Sequence, residues 1–208
     1  MPPRTRYTPD RILDAALDLT RREGLGAVTA RQVAGELGCS TAPVFTHFTT
    51  MEELHERLVE RIIALFVQAT EAPVHSDPLM AAGLGMLAFA ADEPRLYEAL
   101  FLTRHPWHHK WGPVRRRLAS RMASHGRYAA LDERARFGLV GRSSIVVHGL
   151  GVEIWSGRLQ VGGEGTLRHI LDQLAGPLVD AAIDYGWTLD IHSLPSAFVG
   201  PTARKEHP

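Results

Sequence analysis

Apolar residues recur every three to four positions through most of this chain, so it reads as helical almost from end to end. Ile12, Ala15, Ala16 and Leu19 keep that spacing, and Leu13 and Leu17 widen the stripe into a face broad enough to bury. Thr8-Pro9 opens this helix, with threonine as the cap and proline at the first helical position, where its missing N–H costs nothing. Gly24 and Gly26 close it. Thr29-Ala30-Arg31-Gln32 has the form of a capping box, with reciprocal bonds expected between Thr29 and Gln32. Val33, Ala34 and Leu37 give the short helix behind it a buried side, and Gly38 supplies the left-handed residue that stops it. Ser40 is expected to cap a third short helix from Thr41 to about Phe48, with Pro43 in its first turn. Thr50-Met51-Glu52-Glu53 is a second capping box. The long helix it opens carries Leu54, Leu58, Ile62 and Leu65 on one side.

Two short helices about the turn Gly38-Cys39-Ser40, braced by a helix on each side, are the pattern of a helix-turn-helix. After Ala72-Pro73 five more helices are expected. They run from Asp77-Pro78 to Ala91, from Asp92-Glu93-Pro94 to Leu102, from Gly112-Pro113 to near Tyr128, from Asp132 to about Gly157, and from Thr166 to about Tyr185. Gly176-Pro177 should bend the last. The expected fold is therefore all-α: a DNA-binding helix-turn-helix domain over 8–54, a helical bundle over 55–188, and a loosely held tail over 189–208.

Composition narrows this reading. The 208 residues make one large domain or two small ones. Lys+Arg and Asp+Glu are both 23, so the formal charge is zero, far from the basic balance of a nonspecific DNA coater. Cys39 is the single cysteine, so no intrachain disulfide forms. The uncharged run Leu79–Ala91 falls short of the roughly 20 residues a spanning helix needs, and no apolar leader follows MPPRTRY. These features suggest a soluble cytoplasmic protein in a reducing compartment.

In a helix-turn-helix the start of the second helix meets base edges in the major groove. Here that start is Thr41, Ala42 and Pro43, with Thr46 and His47 a turn later. Small side chains at 41–43 permit close approach, and a methyl-rich surface suits thymine. Arg31 can reach a guanine edge or a phosphate, while Thr29, Ser40, Thr46 and His47 are short donors suited to phosphate oxygens.

The stretch ILDAALDLTRREGLGAVTARQVAGELGCSTAPVFTHFTTMEELHERL, Ile12 to Leu58, resembles the tetracycline-repressor (TetR/AcrR) family of transcriptional regulators in order, spacing and residue type. The resemblance implies DNA contacts at Thr29, Arg31, Ser40, Thr41, Ala42, Pro43, Phe45, Thr46 and His47. It also implies a C-terminal helical domain that binds a small effector and dimerises. Phe45 stands where the family commonly has tyrosine, and Met51 where it often has lysine or arginine. Both differences remove a phosphate contact, and each neutralised phosphate contributes about 0.9 to the salt slope of binding.

The expected function is a homodimeric repressor released from a pseudo-palindromic operator by a small molecule. An effector-independent regulator and a histidine-site enzyme are the alternatives. No G-x-S-x-G, H-E-x-x-H, P-loop or dinucleotide-binding glycine signature is present, so neither enzyme activity nor a cofactor is expected. Met86, Phe89, Phe101, Trp107, Trp111, Met122, His148 and Trp155 are candidates to line an effector pocket, or to pack the core. Gly141, Ser144, His148 and Gly151 fall along one side of their helix. With the stripe Leu167, Ile170, Leu171, Leu174, Leu178 and Ala181, they suggest a four-helix dimer interface; a glycine-loosened helix inside the monomer is the alternative. Residues 99–131 hold seven Lys/Arg and no acid. That run reads as a solvated face, as a site for an anionic ligand near Arg115-Arg116-Arg117, or, less simply, as a metal site from His105, His108 and His109.

Overall fold

A computed structural model of the chain describes residues 7–184, except 105 and 163 and the side chains of 108, 164 and 178. The tail expected over 189–208 lies outside the described residues, as do His105 and the side chain of His108. Among the described residues there are nine α-helices: α1 Pro9–Glu23, α2 Ala30–Glu36, α3 Ala42–His47, α4 Met51–Thr70, α5 Pro78–Asp92, α6 Pro94–Phe101, α7 Trp111–Met122, α8 Glu133–Trp155 and α9 Glu164–Asp184.

The local signals for the first four helices act much as their chemistry dictates. The Thr8 hydroxyl accepts from the Arg11 amide, and Gly24 ends α1 at φ +88°. Thr29 accepts from the Gln32 amide at 3.2 Å, although the Gln32 side chain makes no return bond. Thr50 accepts from the Glu53 amide, and the Glu53 carboxylate reaches back to the Thr49 amide rather than that of Thr50. Gly38, at φ +64°, turns the chain so that Gly38 and Cys39 donate to Gly35 and Ala34, which satisfies the last carbonyls of α2.

Ser40 does not cap α3. The helix starts one residue later than expected, and the Thr41 carbonyl itself receives the amides of Val44 and Phe45. Pro43 has no amide to satisfy, which leaves little for a Ser40 hydroxyl to do. Further along, α7 begins at Trp111 rather than at Gly112-Pro113, after a 3₁₀ turn over 107–110. It ends at Met122, and a separate 3₁₀ turn reaches Tyr128.

Ile12, Ala16, Leu19, Val33, Val44, Leu54 and Leu58 close a small core within α1–α4. That core is continuous with the rest of the molecule through Ile62, Phe66, Leu87 and Leu96. The boundary expected at 54/55 therefore falls inside one unbroken helix, α4. The apolar helix α5 is buried on nearly every side and packs against α4, α6, α7, α8 and α9. Where α4 and α5 cross, a Cβ on Gly85 would stand 2.2 Å from the Ala69 carbonyl oxygen, so only glycine permits the approach. Charged pairs also tie the two regions: Arg21 of α1 grips Glu93 with Nε and Nη2, and Lys110 reaches Glu56 and Glu60 of α4.

Two expectations about the last helices need correction. The side of α8 carrying Gly141, Ser144, His148 and Gly151 faces the chain's own interior. A Cβ on Gly151 would meet the Tyr97 hydroxyl at 2.4 Å, His148 bonds Tyr97, and Gly141 is buried. The glycines there serve close packing within one chain. The α9 stripe is divided likewise: Leu167 and Leu171 are buried, whereas Leu174 is 50% exposed. Ile145, four residues on from Gly141 and three before His148, borders the glycine-bearing side of α8 and is 58% exposed. By length and composition α8 is also apolar enough to cross a membrane, contrary to the sequence expectation; its buried residues pack against α5, α7 and α9.

Candidate DNA-reading surface and ligand cavity

Helix α3 is anchored by Val44 and Phe48, both buried among the residues of α1, α2 and α4. That anchoring leaves Thr41, Ala42, Phe45 and Thr46 exposed, with Pro43 and His47 half-buried. Thr29, Arg31 and Ser40 are exposed as well. Phe45, 48% exposed, is a large ring offered to water at the position that lacks a phenol hydroxyl. Met51 packs its side chain on the core, which accounts for an apolar residue there.

Not all the donors expected for phosphates are available. The Thr46 hydroxyl donates to the Ala42 carbonyl at 2.9 Å. His47 uses Nε2 to donate to the Tyr7 carbonyl at 2.7 Å, so Nδ1 of the neutral ring is an acceptor. Only an imidazolium would present a donor there. Tyr7 is thus the anchor for His47, and no pattern in the sequence announced it. Among the arginines of this region, Arg21 pairs with Glu93 and Arg22 with Glu36. Arg31 is exposed with no carboxylate beside it among the described residues, which leaves its guanidinium fork open for a base edge or a phosphate.

The second feature is a cavity of about 280 Å³ enclosed by α4, α5, α7 and α8 and the end of α6. Of the eight sequence candidates, Met86, Phe101, Trp111 and His148 line it. Phe89, Trp107 and Met122 are buried in the core instead, and Trp155 sits at the exposed end of α8. Aromatic rings build one wall: Phe101 stacks on Trp111 with centroids 4.9 Å apart, and Phe66 meets both edge-on. Such contacts fix ring positions more tightly than aliphatic packing does.

The polar groups of the cavity come from three helices. Behind the lining, the Tyr97 hydroxyl lies 2.8 Å from His148 Nδ1 and also donates to the His148 carbonyl at 3.2 Å. Burial lowers the pKa of His148 and raises that of Tyr97, so both are neutral near pH 7. Nδ1 is thereby committed, and Nε2 has no partner among the described residues. At the rim, Glu71, just past the end of α4, is held by Arg117, with Arg121 alongside at 3.8 Å. Arg115 also lines the cavity. Glu71, Thr70, Arg121, Ser143 and Ser144 were not among the sequence candidates, since their neighbours lie far away in the chain. Among the described residues no group of three His, Cys, Asp or Glu side chains could hold a metal ion.

The short helices α1–α3 form a helix-turn-helix head, continuous through α4 with a helical body that holds a cavity. Residues 12–58 match the family model described as "Bacterial regulatory proteins, tetR family". That match covers the DNA-reading head and the first turns of α4 behind it. Its fold is similar to that of a TetR-like transcriptional regulator from Rhodococcus sp. RHA1, with a TM-score of 0.60 at 18% identity over 86% of this chain and 98% of that one. It is also similar to a putative TetR-family regulator from Vibrio parahaemolyticus, with a TM-score of 0.55 at 19% identity over 85% and 97%. Among curated protein sequences, none matches the chain.

Proposed function

We propose that this regulator acts in the cytoplasm as a homodimeric repressor that leaves a pseudo-palindromic operator when a small molecule fills the cavity. The observation that carries the reading is the continuity of α4. Its first half packs Leu54 and Leu58 under the recognition helix, and its second half supplies Phe66, Val67, Thr70 and Glu71 to the cavity wall. A ligand that displaces that wall works on the same helix that supports the DNA-reading head. The Arg21–Glu93 pair adds a second link, from α6 to α1. A coupling of only about 1–3 kcal/mol is enough to release DNA.

In a dimer the exposed residues of α8 and α9, with Ile145 at the cavity mouth, Leu174 and the half-buried Ile170, would cover one another. Two recognition helices would then enter major grooves about 34–36 Å apart. Base contacts would come from Thr41, Ala42, Pro43 and Arg31, and backbone contacts from Thr29, Ser40 and the start of α3. Footprinting on the DNA flanking its own gene tests this reading. Two protected half-sites one helical turn apart are expected, and protection of a single half-site by a monomer overturns it.

A further inference from the structure

The cavity combines an apolar interior with an unbalanced rim. Its carboxylate, Glu71, is already engaged: Arg117 grips it with two nitrogens, and Arg121 stands beside it. A cationic ligand would have to break that pair to reach the carboxylate. Arg115, by contrast, is partly buried on the same wall of α7 and has no hydrogen-bond or ion-pair partner among the described residues. A guanidinium withdrawn from water without a carboxylate is costly unless an anion completes it. With Arg115, Arg117 and Arg121 against Glu71, the rim carries two positive charges in excess. The interior offers Phe66, Met86, Phe101 and Trp111, which suit a hydrocarbon or aromatic body and no second charge.

We propose that the effector of this cavity is an amphiphilic carboxylate, with its apolar body against Phe101 and Trp111 and its carboxylate on Arg115. The inference rests on the effector reading above and names the chemistry of that site. Hydrogen bonds to charged groups are among the stronger polar contacts, and a forked guanidinium–carboxylate pair supplies two of them. His148, neutral and with Nε2 unpaired among the described residues, takes any uncharged polar atom deeper in the ligand.

Calorimetric titration of the full chain with decanoate, decan-1-ol and decyltrimethylammonium, each below its micellar concentration, tests the assignment. Decanoate should bind roughly 10- to 100-fold more tightly than the alcohol, and the ammonium weakest of the three. R115Q should bring decanoate to the level of the alcohol while leaving the alcohol unchanged, which also reports an intact cavity. R116Q, on an exposed residue outside the cavity, should leave the preference intact. Equal binding of acid and alcohol, preference for the ammonium, or an unaltered preference in R115Q overturns the carboxylate assignment but leaves the effector cavity standing. Binding of none of the three overturns both, and a gel shift on the same sample reports separately whether DNA is still bound.

Discussion

The Tyr97 hydroxyl and His148 Nδ1 lie 2.8 Å apart, joining α6 to α8 directly above Gly151. The phenol is buried and fills the space that any side chain at 151 would need. Tyr97→Phe should lower stability by about 1–2 kcal/mol in urea unfolding, because a buried imidazole nitrogen loses its partner. The pH dependence follows from His148, whose folded pKa is lowered by burial. The unfolded chain takes up a proton near pH 6.5 and the folded chain does not, so this residue makes stability fall as pH drops through about 6.5. His148→Asn should flatten that part of the profile.

Asp77 is buried at the start of α5, where it accepts from the amides of Leu79 and Met80, from the Tyr128 hydroxyl and from Arg127. Burial alone would raise its pKa, but these four donors outweigh it and hold the carboxyl below its usual range. The stabilisation is complete above about pH 4 and is lost as pH falls through the folded value. Asp77→Ala should cost about 3 kcal/mol or more at neutral pH, since Arg127 and Tyr128 lose a buried anion. Urea unfolding at pH 7 and pH 3 checks both the size and the sign.

Gly85 and Gly149 make a contrasting pair. Gly85→Ala should destabilise by about 3 kcal/mol, because the obstruction is the α4 backbone and not a side chain that can rotate away. Gly149→Ala meets nothing within 4 Å and should stabilise α8 by about 1 kcal/mol through helix propensity. Thermal melts of the two variants settle the comparison.

Arg31→Ala should weaken operator binding by about 1–3 kcal/mol if the guanidinium reads a base. A loss that is uniform across operator variants would assign Arg31 to a phosphate instead. Fluorescence anisotropy at two salt concentrations distinguishes the roles.

Leu174→Glu places a charge on the outer side of α9 and touches neither the cavity nor α3. Sedimentation should show the variant as a monomer, with binding to a two-half-site operator weakened at least tenfold and the wild-type fold retained. An unchanged dimer would exclude this face as the interface.

The DNA-reading head was largely legible in the sequence because its signals are local. Thr8-Pro9, Thr29, Gly38 and Thr50 each act within four residues, so cap chemistry alone locates the ends of the helices. Ser40 misled because Pro43, the residue whose amide a cap there would receive, has no N–H, and the helix starts one residue later. The cavity was only half legible: Phe66, Phe101, Trp111 and His148 come from separate helices, and spacing along one helix says nothing about which helix it will face. The α8 glycines illustrate the same limit. Periodicity puts Gly141, Ser144, His148 and Gly151 on one side, but it was Tyr97, some fifty residues earlier, that determined what lay opposite.

The crossing of α4 over α5 has a mechanical meaning. Backbone pressed on backbone at Ala69 and Gly85 resists sliding, so the easiest displacement of α4 is a rocking about that point. Phe66 to Glu71 sit at the pivot, while Thr50 lies at the far end of a lever roughly 28 Å long at 1.5 Å per residue, so a tilt of about 5° swings that end by roughly 2 Å. A ligand need move the cavity wall only slightly for the groove-reading helix to lose its station.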